Sequence, residues 1–169
     1  MVTATAIPTK HDATAPVTVE PAGWRDLRAV ARLQRASFRP GLAYGMGALV
    51  FLRAMPGIRF LVARQPGGGI AGCLIADRHL GDLRVVNIAV DPALRRQGIG
   101  TILLRTIDQE NPGGDIVLMA EARNAGALAL YEREGYVRSG TARDYYGRGQ
   151  HGIRMRKVRP GSPRRTIVA

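Results

Sequence analysis

The segment from Val86 to Gly135, VNIAVDPALRRQGIGTILLRTIDQENPGGDIVLMAEARNAGALALYEREG, constrains the fold more than any other part of the chain. An apolar run stops at Asp91-Pro92, passes two arginines and Gly98-Ile99-Gly100, then restarts with a different period. Ile99, Ile102, Leu103 and Ile107 form one helical stripe. That helix closes at Asn111-Pro112-Gly113-Gly114 and a strand follows over DIVLMAEA. A second helix then runs from an Asn124 N-cap to Gly135. A chain that alternates strand and helix in this way builds a sheet and covers it with helices.

The flanking regions follow a different rhythm. A short strand at Val17–Glu20 precedes a helix with Leu27, Val30, Ala31 and Leu33 on one face and arginines on the other. GLAYGMGALVFLRAMPG predicts a second, glycine-loosened helical stretch ending at Pro56-Gly57. IRFLVARQ and IAGCLIAD read as strands joined by PGGG, LRVVNIAV as a third strand, and YVRSGTARDYY with HGIRMRKV as a terminal hairpin. The order β α α β β β α β α β β alternates only in its second half, which predicts a mixed sheet with helices on both faces.

Composition sets outer limits. The chain of 169 residues is long enough to close one core, and no apolar run approaches the ~18 residues a membrane span needs. Residues 1–16 lack a signal-peptide core and read as a flexible leader on a cytoplasmic protein. Residues 17–158 read as a single domain and 159–169 as a flexible basic tail. The one cysteine, Cys73, excludes an internal disulfide and reads as a buried small hydrophobe, and the scattered His11, His79 and His151 predict no metal site.

Lys and Arg number 25 against 13 Asp and Glu, for a net charge of +12, and the stretch from Arg154 to the end contributes six positive residues and no acid. Such a tail attracts polyanions in a salt-sensitive way, so weak ribosome or RNA association belongs among the expectations. Aromatic residues make up only 5%, which disfavours a dedicated nucleic-acid module.

Glycines at the start of a helix, flanked by Arg95 and Arg96, suit an anion such as a phosphate, because the first amides of a helix lack partners and carry partial positive charge. No Gly-Lys-Ser/Thr follows, and the third glycine of a dinucleotide fingerprint is missing. Alone, Gly-x-Gly also fits a plain tight turn.

NIAVDPALRRQGIGTILL resembles the acetyl-coenzyme A arm of the GNAT N-acetyltransferase superfamily, whose signature (Arg or Gln, two residues, Gly, one residue, Gly or Ala) is matched by Arg95, Gly98 and Gly100. NAGALALYEREGY resembles the family's second segment through Asn124, Leu130, Tyr131, Gly135 and Tyr136. The resemblance implies an α+β fold: a central mixed, mostly antiparallel sheet of about seven strands with about four helices on both faces. It implies acetyl-CoA as co-substrate and a monomer or homodimer. The backbone of Ile88, Ala89 and Val90 would pair with the pantetheine arm as an added strand. Arg95, Arg96, Gln97, Gly98, Ile99, Gly100 and Thr101 would hold the pyrophosphate, Asn124 would touch the arm, and Tyr131 would lie near the sulfur.

Acetyl transfer to an amine needs a neutral nucleophile, donors for the oxyanion and a proton for the leaving thiolate. By resemblance Tyr131 is the acid and the N–H of Val90 the oxyanion donor. The pattern is most similar to ribosomal-protein-alanine and other N-terminal acetyltransferases, which carry a glutamate where this chain has Met119. Glu121 lies on the same strand face two residues on, either as the base or as a surface carboxylate paired with Arg123 or Arg133. His151 and water are further candidates.

Tyr145 and Tyr146 match a substrate-binding turn, although Gln150 and His151 replace its acidic pair; Phe38 stands in the matching first helical loop. An α-amine of pKa about 8 is roughly one-tenth neutral at pH 7 and asks little of a base, whereas lysine at about 10.4 asks much. A peptide or protein N-terminus is therefore the expected acceptor, with a polyamine, amino acid or aminoglycoside as the alternative. A cationic acceptor wants acids, and only Asp77, Asp82, Glu121 and Asp144 look placed to face it.

Overall fold

A computed structural model describes residues 17–111 and 113–159. The expected leader, and the expected tail beyond Arg159, lie outside the described residues. Seven strands form one sheet in the order β1-β2-β3-β4-β5-β7-β6: β1 Thr18–Pro21, β2 Arg59–Arg64, β3 Ile70–His79, β4 Asp82–Val90, β5 Ile116–Glu121, β6 Val137–Ala142 and β7 Gly152–Lys157. All neighbours are antiparallel except β4 and β5. The helices are α1 Leu27–Ser37, α2 Met46–Ala54, α3 Ile99–Gln109 and α4 Ala125–Arg133.

Two apolar layers flank the sheet. Leu27, Val30, Ala31 and Leu33 of α1 and Leu49 of α2 pack with Phe60, Val62, Cys73, Ile75 and Ala89 on one face. Ile99, Leu103, Leu104 and Ile107 of α3 and Leu128 and Tyr131 of α4 pack with Leu61, Leu74, Leu83, Val85 and Leu118 on the other. Helix α3 comes very close to the sheet at Gly72, where an added Cβ would lie 3.0 Å from the Ala89 carbonyl oxygen and 3.0 Å from Ile99. Cys73 is fully buried, and burial pushes its thiol up to about 12, which suits the expected inert packing role.

The second helical stretch begins later than its apolar pattern suggests. Gly41 has φ 88 and Gly45 is extended, so residues 41–45 form a loop and only Met46–Ala54 coil. This loop carries Tyr44.

One irregularity in β4 positions the site. Ile75 pairs with Asn87 but Ala76 pairs with Val85, so Val86 is an extra residue. Before it, Leu83 and Val85 face the α3 layer; after it, Ile88 and Val90 do, while Ala89 faces the α1 layer. A bulge of this kind bends its strand and increases the local twist. The β4–β5 ladder accordingly covers only Leu83–Val85 against Ile116–Leu118. Beyond that point the two parallel strands separate at their C-terminal ends, where open sheets hold ligands.

Candidate active site

The gap between β4 and β5 offers backbone donors. Asp91 N donates to Ala71 O at 2.9 Å, which makes Val90 and Gly72 a non-hydrogen-bonded pair of the antiparallel ladder. The N–H of Val90, and by alternation that of Ile88, therefore turns away from β3 into the gap. The Val90 carbonyl is approached by Ser37 Oγ at 3.2 Å and Arg95 Nε at 3.4 Å.

The chain then bends sharply into α3. Arg96 has φ 67 and Gly98, the N-cap, has φ 80, two left-handed residues flanking Gln97. Successive turns of this sort gather amides into an anion-binding concavity. Holding arginine in this conformation costs roughly 1–2 kcal/mol, a strain typical of functional sites. The first helical hydrogen bond runs from Ile102 N to Gly98 O, so the amides of Ile99, Gly100 and Thr101 have no acceptor within α3.

Gly100 has an internal reason as well. An added Cβ would sit 2.9 Å from Leu130 Cδ2, so a larger residue here would make the Leu130 side chain of α4 shift. Arg95 Nη2 also reaches the Ser37 carbonyl at 3.5 Å, which turns this guanidinium toward the end of α1; Arg96 makes no ion pair among the described residues. Asn124 caps α4, its Oδ1 accepting from Ala127 N at 3.0 Å, and its side-chain nitrogen donates to no acceptor among the described residues.

Tyr131 projects from α4 into the core layer at 5% exposure, edge-on to Tyr136 with ring centroids 5.8 Å apart. Burial pushes its hydroxyl well above the usual tyrosine range, and nearby Tyr146 adds to the shift. Tyr146 donates to Met119 O at 2.8 Å, which fixes the β6–β7 loop over β5. Its own hydroxyl is pushed up to about 12, first by burial and then by Tyr145, Glu121 and Tyr44. Tyr44, Tyr145, Tyr146 and Glu121 thus lie close together, the tyrosines brought there by two loops that are distant in sequence.

Along β5, Val117, Met119 and Glu121 share the less buried face, as strand alternation requires. Glu121 pairs with Arg39 of the α1–α2 loop at 3.3 Å, and not with Arg123 or Arg133. The loop folds back across the sheet and delivers Arg39 to the end of β5, a contact that no local pattern announces. Asp82 is a correction to the expected set of groove acids. It starts β4 at the opposite end from the gap and binds Arg156 at 2.9 Å. Asp77 is held by Arg84 at 2.5 Å, and Asp144 Oδ1 lies 3.5 Å from His151 Nδ1. His151 accepts from Asp144 N through Nδ1 at 3.1 Å, a bond that shapes the loop. Phe38 ends α1 and packs partly buried against the α1–α2 layer.

Pattern reasoning missed Gln34. Fully buried, it donates through Nε2 to Asn87 Oδ1 at 2.7 Å and accepts at Oε1 from Tyr44 N at 3.4 Å. It ties α1 to the bulged half of β4 and to the α1–α2 loop. A polar residue interrupting an apolar helical stripe was the available signal.

A seven-stranded mixed sheet, opened between its two parallel strands beside a helix N-terminus rich in free amides, is the architecture of a GNAT N-acetyltransferase. Residues 56–138 match the model for the acetyltransferase (GNAT) domain. The N-alpha-acetyltransferase RimI of Mycobacterium tuberculosis is 33% identical over 138 residues, which span 79% of this chain and 86% of that protein. The chain belongs to the GNAT acetyltransferase family, whose enzymes use acetyl-CoA as co-substrate.

Another relative, the ribosomal protein bS18-alanine N-acetyltransferase of Escherichia coli, is 40% identical over 82 residues. That match spans 47% of this chain and 55% of the relative, about half the length of each. Among solved structures, the ribosomal-protein-S18-alanine N-acetyltransferase from Escherichia coli superposes with a TM-score of 0.74 at 25% identity, covering 90% of this chain and 99% of that one. Arabidopsis thaliana NAA60 in complex with a bisubstrate analogue shares the fold, with a TM-score of 0.72 at 17% identity, covering 83% of this chain and 97% of that one.

Proposed function

We propose that this N-acetyltransferase acts on the α-amino group of a protein or peptide N-terminus. The observation that carries this reading is the cluster of tyrosines brought together from the α1–α2 and β6–β7 loops. Tyrosines 44, 145 and 146 form it, and the carboxylates beside it, Glu121 and Asp77, are already matched by Arg39 and Arg84. Tyrosines bind a peptide through their rings and hydroxyls, whereas a polyamine or aminoglycoside calls for unmatched carboxylates. The names of the relatives from Mycobacterium tuberculosis and Escherichia coli point the same way.

In this reading acetyl-CoA supplies a thioester carbonyl to the attacking amine. The amide edge of Ile88 and Val90 orients its arm, and the amides of Gln97 to Thr101, with Arg96, hold its phosphates. Asn124 takes a polar group of the arm through its free amide nitrogen. The Val90 N–H is the donor for the oxygen that gains negative charge. Tyr131 stays protonated and gives its proton to the leaving sulfur. Glu121, or water beside it, receives the proton of the amine; because an α-amine of pKa about 8 is already about one-tenth neutral at pH 7, a modest base suffices. Phe38 shapes the acceptor side through the end of α1.

The deciding experiment offers isotopically labelled acetyl-CoA to three acceptor sets: peptides with a free N-terminus, N-terminally blocked peptides containing lysine, and small polyamines and aminoglycosides. Mass spectrometry should find label on the free N-terminal set. Label confined to lysine side chains or small amines overturns the proposal.

A further inference from the structure

The outer face of α1 has no part in the chemistry above. Arg28, Arg32 and Arg35 are exposed and recur at one-turn spacing on the side opposite Leu27, Val30 and Leu33. Arg25, in the 3-10 turn Trp24–Asp26 that runs directly into the helix, extends the row. At ~1.5 Å of rise per residue, Arg28 to Arg35 covers about 10 Å.

No carboxylate pairs with these four arginines among the described residues, because each described acid is engaged elsewhere. Glu20 and Asp26, the nearest in sequence, are both held by Arg64. Asp91 caps the turn that follows it, Asp144 Oδ1 accepts from Gly149 N within its own loop, and the remaining acids sit in ion pairs. At the head of the row stands Trp24, the only tryptophan of the chain, 56% exposed. Arg53 lies 5.2 Å from its ring centroid and braces the indole, while more than half of the residue stays open to solvent.

A row of cations without a pocket suits a polymer and not a single small anion, and guanidinium forks match phosphate oxygens. Apart from the single Trp24 ring the row carries no large apolar side chain to enter a bilayer, and it has no apolar centre of the kind a protein interface needs. A basic track ending in an exposed aromatic ring is the combination that holds single strands, with phosphates along the charges and a base on the ring. We propose that the face from Trp24 to Arg35 docks single-stranded RNA, on the opposite side of the sheet from α3 and independently of the acetyl acceptor.

The test uses the full chain and a short uridine oligomer, followed by Trp24 fluorescence from 50 to 300 mM salt. Stacking should quench Trp24, with affinity falling steeply as salt rises. The variant R25Q/R28Q/R32Q/R35Q should lower the slope of log affinity against log salt by about 3, the value for four phosphate contacts on a single strand. A charge-matched variant, R133Q/R143Q/R148Q/R154Q, should keep most of the slope. With a labelled oligomer, Trp24→Leu should weaken binding by about 5- to 150-fold.

Acetylation of a free peptide should be unchanged in the α1 variant, which separates this proposal from the choice of acceptor. Three outcomes overturn it: no quenching at 50 mM salt, an equal loss of slope in the two arginine variants, or a Trp24 response to phosphatidylserine vesicles or poly-glutamate but not to the oligomer.

Discussion

Tyr131 is where motif and environment meet. The family pattern singles out this residue, but only the packing of α4 shows that burial raises its hydroxyl well above the usual range. A leaving thiolate in the same dry layer is disfavoured for the same reason, so the match between acid and leaving group survives the shift. Tyr131→Phe should lower kcat by about 10²- to 10⁴-fold while acetyl-CoA affinity stays nearly constant, measured by steady-state kinetics and calorimetry. The pH profile carries a second signature. With an α-amine acceptor, kcat/KM should rise through about pH 8 as the amine loses its proton. It should then stay level to at least about pH 10, because the acid keeps its proton there; a fall between pH 8 and 9 would remove Tyr131 from the role. The pairing of Glu121 with Arg39 was not legible in the chain, since it depends on how a loop crosses the sheet and not on any local spacing.

Among the elements, those fixed by nearby residues were readable and those fixed by distant contacts were not. The start of α3 at Gly98 and the Asn124 cap of α4 follow from turn and cap chemistry within a few residues. The start of α2 was misplaced because apolar residues continue through the loop that Gly41 and Gly45 break. Gln34 shows how such a loop is held. Gln34→Leu leaves Asn87 Oδ1 without its 2.7 Å donor, at a cost of about 1–3 kcal/mol. It also frees the Tyr44 amide, so the acceptor KM should rise severalfold while acetyl-CoA affinity changes little. Kinetics on both substrates together with a melting curve would check this, and an equal loss for both substrates would mean that the bond only supports the fold.

For the whole molecule, charge and burial act together at alkaline pH. Tyr44, Tyr131, Tyr136 and Tyr146, four of the five tyrosines, are raised chiefly by burial. The unfolded chain releases the Cys73 thiol proton from about pH 8.5 and the phenolic protons above about pH 10, all of which the folded chain retains, so folding stability starts to decline in the first range and falls faster in the second. Rising pH brings little relief from charge repulsion, because Lys10 and Lys157 are the only lysines and arginine stays protonated. Melting temperature should begin to sag from about pH 9 and drop more steeply above about 10, and a flat profile to pH 11.5 would contradict the burial of these groups. The seven-stranded order was readable as a class, but the opening at its centre was not, since Val86 looks like any other valine in an apolar run. That opening depends on a count and not on a side chain. Replacing the valine by another apolar residue leaves that count intact, whereas excising this single codon should zip the two parallel strands together and, on the proposed reading, leave a folded protein that no longer takes up its acyl donor.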